Sequence, residues 1–476
     1  MHYFIAGVGS LKPTPSPSQW REGKEDKAMT NILERNLANN QNSRINPSEV
    51  HATLAKHLLL DGHPFVYDHK ASQGSYLVDG ISGRRYLDLF SFFASSPLTH
   101  NHPGLKDPAF RGKLADVASI NPANSDVYTV EMAEFIETFT RIAVPDYLPH
   151  LFFIAGGAPA VENALKTAFD WKVRKNLAKG YSEERGHKIL HFQQAFHGRF
   201  GYSLSLTNTA DPRKYLYFPR FDWPRVDNPK LEFPIDIAQA EAAEAESLHQ
   251  IQAAFERYPD EIAAIIIEPI QAEGGDNHFR PEFFQALRKI ADEREAMLIF
   301  DEIQTGIGIT GTMWAHQQLG VKPDIMIFGK KAQVCGIAVG HRVDEVERNV
   351  FVEPSRINST WGGNLVDMVR GQRYLEIIDE DNLLENARIQ GEYFLAKLQE
   401  LKGEGAPIGN LRGMGLLIAF DLVDTAARDK LLADAYDKGL LLLACGLHSI
   451  RLRPHLDIAR ETIDHALTLL TELWEL

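Results

Sequence analysis

Asp301 follows the apolar run MLIF, and Lys330 closes the apolar run DIMIFG. Each run reads as a strand, so an acid and an amine leave consecutive strand ends. Ligands of open α/β sheets collect at the carboxyl ends of the strands. An amine held in dry surroundings there is costly as an ammonium; its pKa falls, and the neutral form attacks an aldehyde. The chemistry expected of the pair is imine formation beside a charged carboxylate. Lys331 competes for the role, and one of the two lysines is expected to be structural.

Two further stretches fall at the same edge. In IAGGAPAVENALK, Gly156 and Gly157 form a strand-to-helix turn, and Pro159 sits where a helix has no need of its N–H. Free amides of such a turn, aligned with the helix dipole, make a seat for phosphate. In AFHGR, Phe196 or His197 can stack on a planar ring, and Arg199 can grip a carboxylate with both prongs of its guanidinium. Taken singly, each has an ordinary explanation: a helix cap, a tight turn, a core aromatic, a solvated arginine. Their coincidence at one sheet edge gives them weight.

The elements that must position these residues begin near residue 150, where short β-branched runs alternate with longer amphipathic stretches. That pattern predicts βαβ units and a mostly parallel sheet, an α/β fold. The expected strands are HLFFIA, HKILHF, AAIIIEPI, MLIFDEI and DIMIFG; the intervening helices include VENALKTAFDWKVRKNLAKG and PEFFQALRKIADERE. One long helical pattern is expected from Leu365 to about Leu401, followed by the mixed segments of a smaller α+β lobe. GSYLVDGISGRRYLDLF reads as a hairpin turning at Gly80 to Arg84 and belonging to that lobe. The expected organisation is a leader or mis-assigned start over 1–28, an N-terminal segment over 29–110 contributing to the small domain, a large domain over 111–364 and a C-terminal small domain over 365–476.

The balance of the chain narrows its partners. It has 476 residues, is 44% hydrophobic, and carries a net charge of −14 with its lysines and arginines scattered. A nucleic-acid partner is not expected. Its longest apolar runs, such as LLLLAC, fall short of the roughly 20 residues that cross a bilayer. The two cysteines, Cys335 and Cys445, are the usage of a reducing compartment, so both are expected as free thiols in a cytoplasmic protein. No metal-ligand pattern stands out.

Taken together, LIFDEIQTGIGITGTMWA, DIMIFGK, GGAPAVENALK, FHGR, EPIQAEGG, STWGGN and IRLRP resemble the class III pyridoxal-phosphate aminotransferases, from about Gly74 to the C terminus. The resemblance implies the type I fold of pyridoxal-phosphate-dependent transferases, with a large domain and a smaller α+β domain. ASSPL, ANSDVYTVEMAEF, AFDWK, SLSLTNT, FDWPR and FGKKAQVCG are most similar to the branch of L-lysine 6-aminotransferases. These move the ε-amino group of L-lysine to 2-oxoglutarate, giving allysine, which cyclises to 1-piperideine-6-carboxylate, and L-glutamate. Ala158 and Pro159 stand where many class III members have a hydroxyl residue and an acid, and Ile309 where an arginine is common. These departures, with KAQVCG in place of the usual glycine-rich segment after the lysine, agree with the lysine branch and weaken transfer from ornithine or 4-aminobutyrate enzymes; the alternative is another class III ω-aminotransferase taking ornithine, 4-aminobutyrate or a diamine.

Roles follow from the resemblance. Lys330 holds pyridoxal 5'-phosphate and shuttles a proton, Asp301 pairs with the ring nitrogen, and Gln304 reaches the phenolic oxygen. Phe196 and His197 belong to the cofactor site, Phe196 against the ring face. Gly157 and Ala158 bind phosphate from one subunit and Thr360 from the other, which makes a homodimer a requirement. Arg199 holds the carboxylate far from the reacting carbon, and Arg451 the near one of glutamate or 2-oxoglutarate, with Arg453 as its competitor. Beside the aliphatic stretch of lysine, a bare Arg451 is costly. Glu273 is expected to neutralise it then and to swing away for the dicarboxylate.

Overall fold

The structure, a computed structural model, describes residues 45–475. The expected leader, residues 1–28, lies outside them. Two compact units divide the chain: one runs to Val66 and includes Gly80–Ser82, the other holds Tyr67–Asp79 and Gly83–Leu476. The described part of the first contains the turn Pro47–Glu49 and the short helix Val50–Leu54. All chemistry considered below lies in the second.

In that larger unit β1 (Tyr76–Val78) and β2 (Arg85–Asp88) pair antiparallel as the two arms of the expected hairpin. The largest sheet has seven strands: β3 (His150–Ile154), β4 (Lys188–Phe192), β5 (Arg225–Val226), β6 (Ile262–Ile267), β7 (Met297–Asp301), β8 (Ile325–Phe328) and β9 (Cys335–Val339), in the order β3-β9-β8-β7-β6-β4-β5. Strand residues alternate between faces, and here both faces are apolar. Ala264, Ile266, Met297, Ile299, Ile325 and Ile327 join one core, with Ala160, Ala164 and Trp171 of the helix Gly157–Ala178. Ile265, Ile267, Leu298 and Phe300 join the other, with residues of the helices Ile237–Arg257 and Pro281–Glu293. A sheet covered on both sides leaves only its strand ends open to a ligand.

β4 to β8 are parallel, as the alternating pattern predicts. β9 runs antiparallel between β3 and β8, which the sequence reading did not anticipate. The reason is the brevity of the connection over 329–334: a parallel return needs a crossover of a dozen or more residues. Gly336 is fixed by this insertion, because a Cβ there would lie 2.2 Å from the Phe152 carbonyl oxygen.

The long helical pattern after Leu365 resolves into two helices, Leu365–Glu380 and Leu383–Glu404. The break falls at Asn382, in the left-handed region with φ 52° and ψ 45°. Apolar periodicity continues across it, whereas Asp and Asn are weak helix formers and Asn tolerates that backbone. β10 (Gly409–Met414), β11 (Leu417–Asp421), β13 (Leu443–Cys445) and β14 (Ser449–Leu452) make a four-stranded sheet, while β12 (Leu440–Leu441) runs parallel to β2.

Candidate active site

At the carboxyl ends of the parallel strands lies a cavity of about 590 Å³. Strand register brings its two central groups together. Asp301, the last residue of β7, pairs with Ile327 on β8, and Lys330 follows the end of β8 after Gly329. Both line the cavity. Lys330 is half-buried, and its amine donates to the Phe93 carbonyl at 3.0 Å. Burial, then the fields of Arg451 and Arg453, push its pKa down to about 7, against weaker opposition from Glu273 and Asp301. Such an amine is neutral, and so nucleophilic, near physiological pH. Lys331 turns away into the protein, where its amine donates to the carbonyls of Ala94 at 3.3 Å and Gln304 at 2.8 Å.

Each amine has one acceptor, the Phe93 or the Ala94 carbonyl, in an unusual turn. Ser91, Phe92, Phe93 and Ala94 have φ of 38°, 53°, 59° and 61°. Left-handed backbone costs a non-glycine residue roughly 1–2 kcal/mol. Asp88 opposes that cost by accepting from the Phe90 and Ser91 amides at 2.8 and 2.7 Å, while its other oxygen meets His100 at 2.9 Å.

Asp301 is backed by His197, whose Nδ1 lies 2.8 Å from its Oδ2. The buried His197 is therefore placed to orient the acid, and its Nε2 has no partner among the described residues. Glu268, just past β6, takes the Phe196 amide at 2.9 Å and the Ala272 amide at 3.2 Å. Burial, then the charge of Asp301, raise its pKa well above the usual carboxylate range. Two carboxyl groups thus share this end of the cavity, and the burial that disfavours charge on Glu268 leaves Asp301 as the acid placed for a cationic ring nitrogen.

The helix Gly157–Ala178 starts at the cavity without a side-chain cap. Gly156, at φ 106°, makes the turn, and its carbonyl accepts from Ala160. The amides of Gly157 and Ala158 are left as donors for an anion. Gly198 lets the AFHGR loop close over this seat: a Cβ there would lie 2.6 Å from that of Ala158. Phe196 also lines the cavity.

The far end of the cavity is cationic. Arg199 is exposed and makes no ion pair among the described residues. Arg451 is buried; its Nη2 donates to Glu273 Oε2 at 2.8 Å, and its Nε has no partner among the described residues. Arg453, the competitor, is committed elsewhere: it pairs with buried Asp276 and donates to the Leu452 carbonyl at 2.9 Å. It does not line the cavity, as Arg451 does. Gln304 Oε1 accepts from Arg451 at 3.3 Å and Arg453 at 3.1 Å. What remains for a ligand is its NH₂ group, the donor that a phenolate oxygen requires. A reactive amine, an acid for a ring nitrogen, uncapped amides for a phosphate and a buried unpartnered guanidinium nitrogen together fit pyridoxal phosphate and a carboxylate substrate.

Thr360 is exposed and apart from the residues that line this cavity. The sequence reading did not single out Phe93, Glu268 or Lys214. Glu268 carried a signal, an acid following an all-apolar strand as Asp301 does. Lys214, in the polar turn TADPRKY, carried none; its amine ion-pairs with Glu273.

A family model described as Aminotransferase class-III matches residues 60–473. The L-lysine-epsilon aminotransferase of Mycobacterium tuberculosis is 53% identical over 423 residues, which cover 88% of this chain and 94% of that protein. The enzyme of that name from Streptomyces clavuligerus is 47% identical over 429 residues, 89% of this chain and 93% of its own length. Among solved structures, lysine aminotransferase from M. tuberculosis in its internal aldimine form superposes with a TM-score of 0.89 at 52% identity, covering 90% of this chain and 99% of that one.

Proposed function

The chain belongs to the class-III aminotransferases, and from that premise we propose that it transfers the ε-amino group of L-lysine to 2-oxoglutarate, with pyridoxal 5'-phosphate as cofactor. The products are allysine, which closes to 1-piperideine-6-carboxylate, and L-glutamate. When bound, the cofactor supplies an electron sink for the carbon that loses its proton.

The protein's part is positioning and proton transfer. Lys330 would hold the cofactor through its Nζ, and the same amine, when free, would carry the proton taken from the ε-carbon of lysine. Asp301, steadied by His197, keeps the ring nitrogen protonated. Gln304 would donate to the phenolic oxygen, Phe196 would face the ring, and the amides of Gly157 and Ala158 would hold the phosphate. Arg199 holds the carboxylate of lysine, distant from the reacting amine. Glu273 neutralises Arg451 in that step and releases it to the near carboxylate of the dicarboxylate in the other.

The observation that carries the reading is the Glu273–Arg451 pair at 2.8 Å in a cavity that also holds a free Arg199. A site for dicarboxylates alone has no use for an acid on its second arginine. A homodimer completes the site by bringing Thr360 from the partner. In its support, Val127, Tyr128 and Val130 are 56%, 79% and 70% exposed, near the Ser125 hydroxyl that donates to the Ser359 carbonyl beside Thr360. No described helix is long and apolar enough to cross a membrane. Both cysteines are free, in keeping with the proposed cytoplasmic setting.

The test is to mix the purified protein with L-lysine and 2-oxoglutarate and assay the cyclic imine with an aldehyde reagent. Formation of that product with stoichiometric glutamate is expected. Turnover of ornithine, 4-aminobutyrate or a diamine in preference to lysine overturns the reading.

A further inference from the structure

Glu273 has two cationic partners. Its Oε2 accepts from Arg451 at 2.8 Å, and its Oε1 ion-pairs with Lys214. Lys214 lines the same cavity; its side chain is 14% exposed, and its amine also lies 5.8 Å from the Phe196 ring centroid and 3.5 Å from the Thr209 hydroxyl. The turn that carries it is built to hold it. Asp211 accepts from the Arg213 amide at 3.1 Å, Pro212 begins the turn, and the Leu216 amide returns to the Pro212 carbonyl at 2.9 Å. The backbone of Glu273 is also fixed, its carbonyl accepting from the Gly446 amide at 3.0 Å. Any departure of its carboxylate from Arg451 is therefore a side-chain rotation.

A carboxylate that leaves Arg451 without a second cation becomes an unpaired charge in a largely enclosed place, which is strongly unfavourable. We propose that Lys214 is the positioning residue that retains Glu273 in both halves of the reaction, sharing it with Arg451 when lysine is bound and holding it alone when a dicarboxylate occupies Arg451. The role rests on the lysine and 2-oxoglutarate reading above. Lys214 lowers the cost of exposing Arg451 while touching no reacting atom. Its loss leaves Glu273 with Arg451 as sole partner and so favours the state closed to dicarboxylates.

The test is single-turnover absorbance with the holoenzyme, in which lysine and glutamate are mixed separately with the cofactor-loaded protein and 2-oxoglutarate with its aminated form. In Lys214→Met the apparent dissociation constants for glutamate and 2-oxoglutarate are expected to rise about tenfold or more, with a clearly smaller change for lysine, since a hydrogen bond between charged groups is worth that much. Lys214→Arg is expected to restore most of the loss. In a Glu273→Gln background, Lys214→Met is expected to add no further discrimination.

Equal weakening of lysine and both dicarboxylates overturns the proposal and makes Lys214 a direct ligand of the distal carboxylate beside Arg199. Persistence of the full effect in the Glu273→Gln background overturns it too. The glutamate and 2-oxoglutarate arms do not depend on the identity of the donor. A protein that exchanges these two but ignores lysine therefore fails the functional reading alone, while a lysine enzyme with an evenly weakened Lys214→Met fails only the proposal.

Discussion

His197 Nδ1 lies 2.8 Å from Asp301 Oδ2, with both side chains buried in the wall of the cavity. The contact fixes which oxygen of the acid is turned away from a ligand, and a hydrogen bond to a charged group is worth about 1.5–3 kcal/mol. His197→Ala is therefore expected to slow both half-reactions roughly tenfold to a hundredfold. Asp301→Ala, which removes the charge itself, is expected to cost more than His197→Ala in the same assay. Stopped-flow absorbance of the bound cofactor measures both, and equal effects of the two variants argue against a supporting role for His197.

Lys330 and Lys331 differ in what their amines touch. Borohydride reduction of the loaded protein is expected to fix the cofactor to the peptide containing Lys330, and Lys330→Ala is expected to abolish labelling. Lys331→Met, which takes the donor from the buried Ala94 and Gln304 carbonyls, is expected to keep labelling while destabilising the fold by about 1–3 kcal/mol. Peptide mass mapping after reduction distinguishes the two lysines.

The sign of the pH dependence follows from Lys330, whose pKa is lowered to about 7 by burial, Arg451 and Arg453. Below that pH the amine is protonated and inert; above it the amine is neutral. Capture of pyridoxal phosphate by the stripped protein is expected to speed up as pH rises through about 7 and to level off beyond. Arg451→Met removes one of the cations that depress the amine, so its midpoint is expected to move to higher pH. A midpoint unmoved by the substitution contradicts this assignment.

Burial pushes Glu273 up, yet Arg451 and Lys214 together hold its carboxyl below the usual range, so it is charged throughout the working pH. Glu273→Ala leaves Arg451 uncompensated beside the aliphatic part of lysine. The lysine half-reaction is expected to fall about tenfold or more relative to the glutamate one. Equal losses in single-turnover measurements of both count against the switch.

Arg199 makes no ion pair among the described residues, so a substrate carboxylate is its natural partner. Cadaverine, lysine without that carboxylate, is expected to react about a hundredfold less efficiently by kcat/KM. Arg199→Ala is expected to narrow the gap by weakening lysine while leaving cadaverine nearly as it is.

Much of this site was legible because strand-end chemistry leaves a local trace. Asp301 and Lys330 each close an apolar run, and the sheet's register then dictates that they meet. The choice between Arg451 and Arg453 was not legible: both sit in IRLRP, and only the pairing of Arg453 with Asp276 separates them. The contact of His197 with Asp301 and the place of Lys214 were hidden for a similar reason, since the partners lie far along the chain. The antiparallel β9 and the break at Asn382 escaped because apolar periodicity reports burial and is silent about strand direction or a single left-handed residue.

The left-handed turn over Ser91–Ala94 receives both lysine amines and is pinned from beneath by Asp88, an acid that does not line the cavity. The catalytic lysine thus has a keel. A lesion at residue 88 lets the turn relax toward ordinary backbone, withdraws the Phe93 and Ala94 carbonyls from the two amines, and produces an enzyme whose every substrate-touching side chain is intact while its nucleophile drifts.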